Sequence, residues 1–182
     1  DRAQVARTDA ETRSAHLEAR LDAMKSAAAP TRARHAAHQL ANTQGVTGAL
    51  IDLVEVDAGW DAAVKAALGE LVATVVVSDA AAAQRALNAL RTGNFVGAVL
   101  ALGEVLTPTV GIAPGTKSLR QHVTVVPNAP QSVGTFLDSL FSRIGYVDDL
   151  DQAIGVAMAH PSAVVVTRSG DRLSPMGWRI GA

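Results

Sequence analysis

From Ala3 to Ala28 the chain carries neither Gly nor Pro, and apolar or small residues return in steps of four and three at Ala3, Ala10, Leu17, Leu21, Met24 and Ala28, with Arg7 and Ser14 at the intervening seam positions. Good helix formers fill the positions between them. The pattern predicts a helix with a narrow seam at coiled-coil spacing, weak in its first half and better from Leu17 onward. So narrow a stripe buries too little to fold alone. Two arrangements satisfy it: a partner helix from another copy or from later chain, or an ordinary amphipathic helix packed on the domain that follows. Pro30 is expected to end or kink this helix, with a second helix over Thr31 to Ala41 stopped by Asn42 and Gly45.

After Gly45 the period changes from helical to alternating. Ala49 to Val56 reads as a strand, Asp57 to Leu68 as a helix, Leu71 to Val77 as a buried strand, Asp79 to Arg91 as a helix capped by Asp79, and Phe95 to Leu102 as a strand. Gly103 to Lys117 holds two Pro and three Gly, so a long loop or boundary is expected there. Beyond it come a strand at His122 to Val126, a Pro127/Pro130 turn, a helix at Ser132 to Ile144, a short strand at Tyr146 and Val147, a helix at Asp149 to His160 and a strand at Ala163 to Thr167. Arg168 to Asp171 reads as a hairpin turn before a tail rich in Gly and Pro. One echo organises the series. Val75 to Leu87 (VVVSDAAAAQRAL) and Gly145 to Ala157 (GYVDDLDQAIGVA) share a strand, an Asp cap and a helix, each followed by another strand. The reading is an α/β chain of two lobes with some parallel pairing: residues 1–44 as arm and junction helix, 45–102 as lobe I, 103–118 as a connection and 119–182 as lobe II.

Composition narrows the function. The 182 residues are 48% hydrophobic, 3% aromatic and 18% charged, with no Cys and a formal net charge of -1. That excludes a disulfide scaffold, a thiol nucleophile and Cys-ligated metals. No apolar run approaches the roughly 20 residues that cross a bilayer, so no membrane partner is expected. Near-zero net charge removes the signal of a dedicated DNA-binding domain. Charge is uneven, however, with seven Arg and Lys against five Asp and Glu over residues 1–44 and nine against twelve over the rest. A start at Asp1 reads as a piece of a longer protein.

Candidate chemistry is sparse. Gly111 to Ser118 (GIAPGTKS) has three residues between its glycines where a phosphate loop needs four, and Pro114 removes an amide donor. No dinucleotide fingerprint follows a strand. His35 and His38 share a helix but have no third ligand near them in sequence. Asp148, Asp149 and Asp151 read as helix capping. The expectation is therefore a non-enzymatic chain with no cofactor and no metal. Arg32, Arg34 and His38 crowd one short segment, which reads either as a solvated helix face or as a weak, salt-sensitive contact for DNA phosphates. Gly69 follows a helix, and Gly177 and Gly181 lie in a terminal segment able to pair as an open edge with another chain.

In this order the parts resemble the hinge domain of structural maintenance of chromosomes (SMC) proteins of bacterial type. The resemblance rests on Gly45-Val46-Thr47-Gly48 with the amphipathic stretch Ala49 to Val56, Trp60 with Ala63 to Gly69 (AVKAALG), VVVSD with Ala83, Ala86 and Leu90, Gly145 to Ala157, Val164 to Asp171 (VVVTRSGD) and Ser174-Pro175-x-Gly177. It implies two α/β subdomains and a homodimer joined through edge strands at Gly69, Gly177 and Gly181. It also implies a parent protein whose ATP-binding heads lie at the far end of long arms, acting in chromosome segregation in the cytoplasm at the nucleoid. The chain departs from the family's paired glycines, because Glu70 follows Gly69 and Ala182 follows Gly181. A small ligand-binding or regulatory α/β domain, with Gly103 to Lys117 as a lid, is the alternative reading of the same residues.

Overall fold

The structure, a computed structural model, describes residues 2–103 and 111–181. Helix α1 runs unbroken over Arg2–Gln39 with Pro30 inside it, so the expected break at Pro30 and a separate helix from Thr31 do not occur. A proline inside a helix removes one hydrogen bond and costs about 3 kcal/mol. The helix is carried past it by packing: Ala29, Ala33, Ala36 and Leu40 recur at steps of four, three and four and are all buried against lobe I.

The apolar run read as one strand from Ala49 to Val56 is divided. Strand β1 (Val46–Ala49) ends in a 3-10 turn at Leu50–Asp52, and β2 (Val54–Val56) leaves in another direction for another sheet. Gly48, at φ 148°, and the register irregularity between Val46 and Gly48 mark where β1 departs from regular pairing. Next come α2 (Asp61–Leu68), a 3-10 turn over Gly69–Ala73, β3 (Thr74–Val77), α3 (Ala80–Thr92) and β4 (Ala98–Ala101). The 3-10 turn takes Leu71 to Ala73 out of the strand expected there.

Residues 104–110, the middle of the expected loop, lie outside the described residues. The chain resumes with β5 (Lys117–Ser118), a 3-10 turn over Leu119–His122, β6 (Val123–Val125), α4 (Gln131–Phe141), β7 (Ile144–Val147), α5 (Leu150–Ala159), β8 (Val164–Thr167), β9 (Arg172–Ser174) and β10 (Gly177–Arg179). Lys117 and Ser118, read as the end of the connection, pair with Tyr146 and Gly145 and so belong to lobe II.

The order from β1 to β4 repeats from β5 to β8. In both lobes the first strand lies antiparallel to the third, and the third lies parallel to the fourth: β1-β3-β4 in lobe I, β5-β7-β8 in lobe II. The second strands leave their lobes and pair with each other, Val54 with Val125, Glu55 with Thr124 and Val56 with Val123. That register exchanges equivalent residues, which places a local two-fold axis near Glu55 and Thr124. The caps repeat as well, since the Asp79 carboxylate accepts the Ala82 amide at 2.8 Å and that of Asp149 accepts the Gln152 amide at 2.8 Å. Acceptance from Ala82 and from the Ser78 hydroxyl holds the Asp79 carboxyl below the usual range.

Because side chains alternate across a strand, each sheet serves two cores. Val76, Tyr146 and Val166 face a central core shared by the lobes, which also takes Leu50, Leu53, Val64, Leu119, Leu137 and Phe141. Val75 and Val77 turn the other way, toward α1 and α3. Val147 and Val165 likewise turn toward the Ala153 and Ala157 face of α5. Each Val that is fully buried contributes roughly 1.5–3 kcal/mol relative to exposure.

Candidate dimerisation edge

Lobe II goes one step further than lobe I. After β8 a turn at Gly170, φ 93°, sends β9 back along it, and β10 folds onto β9 with Gly177 opposite Ser174, Trp178 opposite Leu173 and Arg179 opposite Arg172. β10 therefore forms one edge of a five-stranded sheet. Leu173 is fully buried, whereas Met176, Trp178 and Ile180 are 96%, 56% and 66% exposed. Trp178 lies in β10 itself, with Met176 in the turn before it and Ile180 directly after it, so exposed apolar side chains flank this edge. Unpaired backbone groups beside exposed apolar side chains form a template for another strand.

Two contacts fix this hairpin to the chain. Asp171 is buried, and its carboxylate accepts the Thr167 hydroxyl at 2.6 Å and the Gly181 amide at 2.7 Å, which ties down the end of the edge segment. Arg172 reaches across to lobe I and donates to the carbonyls of Ala66 and Ala67 at 3.0 and 3.4 Å, satisfying the open C-terminal end of α2. Burial, followed by the nearby charge of Arg179, pulls the Arg172 guanidinium below its ordinary value, though an arginine stays charged throughout.

The three glycines occupy distinct places. Gly69 caps α2 with φ 55° and ψ -127°, and a Cβ there would lie 2.8 Å from Arg172 Nη1, so it serves the contact between lobes within one chain. Gly181 lies against Asp171 by way of its amide. Gly177, at φ 140°, opens β10 in exposed surroundings where an added Cβ meets nothing within 4 Å.

Met176, Trp178 and Ile180 were not singled out by sequence as an interaction surface. Their alternation is a strand signal. Only the pairing of β10 as an edge tells that the face is open rather than buried.

The basic cluster of α1 is divided by helical geometry. Arg32 and Arg34 are two residues apart, hence roughly 200° apart around the axis. Arg34 ion-pairs with Asp52 at 2.7 Å, and Arg32 donates to the Lys25 carbonyl at 3.1 Å. His38 is exposed one turn beyond Arg34. Along the arm Leu17, Leu21 and Met24 are 63%, 51% and 64% exposed, leaving the seam predicted from their spacing uncovered. Among the described residues no group of three His, Cys, Asp or Glu is placed to hold a metal ion, and no helix is long and apolar enough to cross a membrane.

A duplicated α/β frame, a helical arm and an open β-edge define a two-lobed junction module. The chain belongs to the SMC hinge family: the profile of the SMC proteins Flexible Hinge Domain matches residues 43–157. It is similar to the Chromosome partition protein Smc of Mycolicibacterium paratuberculosis, 32% identical over 180 residues, and to that of Mycobacterium tuberculosis, 31% identical over 185 residues. Each match covers 98% of this chain, which spans 15% of the length of either relative. Among solved structures, the asymmetric dimer of the Geobacillus stearothermophilus SMC hinge domain has a TM-score of 0.68 at 20% identity, covering 97% of this chain and 81% of that one. The Pyrococcus furiosus Smc hinge domain with an extended coiled coil has a TM-score of 0.68 at 20% identity, covering 88% of this chain and 57% of that one.

Proposed function

We propose that the chain is the dimerisation hinge of a chromosome-partitioning SMC protein, joining two copies through the β10 edge of lobe II while α1 continues into a coiled-coil arm. The observation that carries this reading is the open β10 edge with Met176, Trp178 and Ile180 exposed along it. A second copy gives those side chains an apolar cover and the edge a hydrogen-bonding partner. The work is mechanical, with no reaction carried out in these lobes and no cofactor required. The setting is the cytoplasm at the nucleoid, where the relatives' name, chromosome partition protein, fits the same role.

Sedimentation at micromolar concentration tests the reading: the chain is expected to run as a dimer, and Trp178→Glu with Ile180→Glu to run as a monomer that keeps its helical circular dichroism. A native monomer, or a double variant still dimeric, overturns it. Weak DNA contact at the arm is a second proposal, supported by the exposure of Arg32 and His38. Because Arg34 is already paired with Asp52, Arg32→Ala should lower DNA affinity more than Arg34→Ala does, and equal losses would count against it.

A further inference from the structure

The local two-fold axis creates two equivalent junctions between the lobes, and the chain fills them differently. At one, the Val126 amide donates to the Leu53 carbonyl at 3.1 Å and the Ala129 amide to the Val126 carbonyl at 3.0 Å. At the other, the Asp57 amide donates to the His122 carbonyl at 3.0 Å and the Trp60 amide to the Asp57 carbonyl at 3.0 Å. The backbone is thus the same twice over. The side chains are Leu53, Val126 and Ala129 at the first junction and His122, Asp57 and Trp60 at the second. The strand positions behind them follow suit: Val76 and Leu102 in lobe I stand where lobe II has Tyr146 and Arg168.

At the second junction the His122 ring stacks on Trp60 with centroids 3.6 Å apart and planes 10° apart, and its Nδ1 lies 3.0 Å from the Asp57 carboxylate. Tyr146 meets Trp60 edge-on at 4.6 Å, and the Arg168 guanidinium lies 5.0 Å from the Trp60 ring centroid while donating to the Gly59 carbonyl at 3.3 Å. Gln121 touches His122 Nε2 at 3.1 Å and the Tyr146 hydroxyl at 3.3 Å. Lys117 lies 5.7 Å from the Tyr146 ring centroid and is held by Asp148 at 3.2 Å. His122 is 17% exposed and Asp57 58%, so solvent ions reach the pair.

We infer that the His122–Asp57–Trp60 junction is a charge-dependent clasp between the lobes, which salt releases while the Leu53–Val126 junction stays shut. At the first junction the facing side chains Leu53, Val126 and Ala129 are apolar, and apolar contact is not weakened by added salt. At the clasp, the His122–Asp57 contact, an ion pair when the imidazole is protonated, accompanies the same bonds, and its charge attraction is screened. The lobes then part on one side only, pivoting about Leu53. This goes beyond dimerisation and does not depend on it, because both junctions lie within a single chain.

Amide hydrogen exchange on the whole chain tests it, with the Asp57 amide reporting the clasp and the Val126 amide the apolar junction. Raising NaCl from ~0.1 to ~1 M shortens the screening length from about 10 to about 3 Å. The ratio of Asp57 to Val126 exchange is expected to rise about two- to fivefold, the range of one solvent-accessible ion pair. His122→Leu, which copies the residue at the equivalent position, is expected to make that ratio insensitive to salt. A flat ratio in the native chain, or a salt response that survives His122→Leu, overturns the inference. Should His122→Leu fail to fold, Asp57→Asn keeps the shape of an exposed side chain and supplies the same comparison through the Trp60 amide.

Discussion

Lobe I and lobe II have the same sequence of strands and helices, yet they finish differently. Lobe I stops at β4, and α1 covers its outer face through Ala36 and Leu40. Lobe II has no such helix; it adds β9 and β10 and leaves an edge bearing Trp178 and Ile180 exposed. Both lobes need a sandwich of sheet and helix to fold. They differ in what each carries beyond that frame: lobe I holds the arm and ends at edge strand β4, whereas lobe II ends at edge strand β10 with Trp178 and Ile180 exposed. Parts that fold and parts that join are therefore separable by substitution.

The largest blow to one side of the comparison should come from Gly45→Ala. At φ 91° the new Cβ would sit 2.6 Å from Ala82 Cβ and 2.8 Å from Ser78 Oγ, and a fully buried Ala82 has no room to yield. A loss of about 2–5 kcal/mol in chemical denaturation is expected from strain plus overpacking. Leu53→Ala follows, at about 2–4 kcal/mol, because a cavity opens in the core shared by both lobes. Arg172→Met removes the guanidinium from the end of α2 and should cost about 1–3 kcal/mol, while any rise in Arg172→Met stability would mean that relief from Arg179 outweighs the lost bonds.

The smallest effects fall on the two caps. Asp149→Ala should cost about 1 kcal/mol, and Asp79→Ala should lower the melting temperature by a similar few degrees. Asp79 also carries a pH signature. Its carboxyl is held below the ordinary range, so its contribution is complete above that range and fades as pH falls through the lowered folded value. Asp79→Asn is expected to flatten the stability slope in that acidic window and leave neutral pH little changed.

Much of this frame was legible in the chain, because local chemistry marks it. Asp79 and Asp149 announce their helices, and the valines of β3 and β8 announce buried parallel strands. Other features were hidden by distance. The run from Ala49 to Val56 is apolar and extended at both ends, and only the remote partner β6 decides that its second half leaves for another sheet. Pro30 is a local break signal overridden by four buried contacts along the helix. Arg32 and Arg34 are neighbours in sequence that the helix turns apart, whereas His122 and Asp57, 65 positions apart, meet only in the fold. The edge stripe reads as an ordinary strand until its pairing is known.

The unbroken course of α1 has a consequence for motion. The same rigid rod that extends outward from Ala28 is seated by Ala29, Ala33, Ala36 and Leu40, and it touches β1 and β3 directly. A twist applied to the arm thus turns lobe I as its load. Lobe II receives that torque through the shared core, the short β2–β6 ladder, the Arg172 contact and the two junctions, which together act as the gearbox of the molecule.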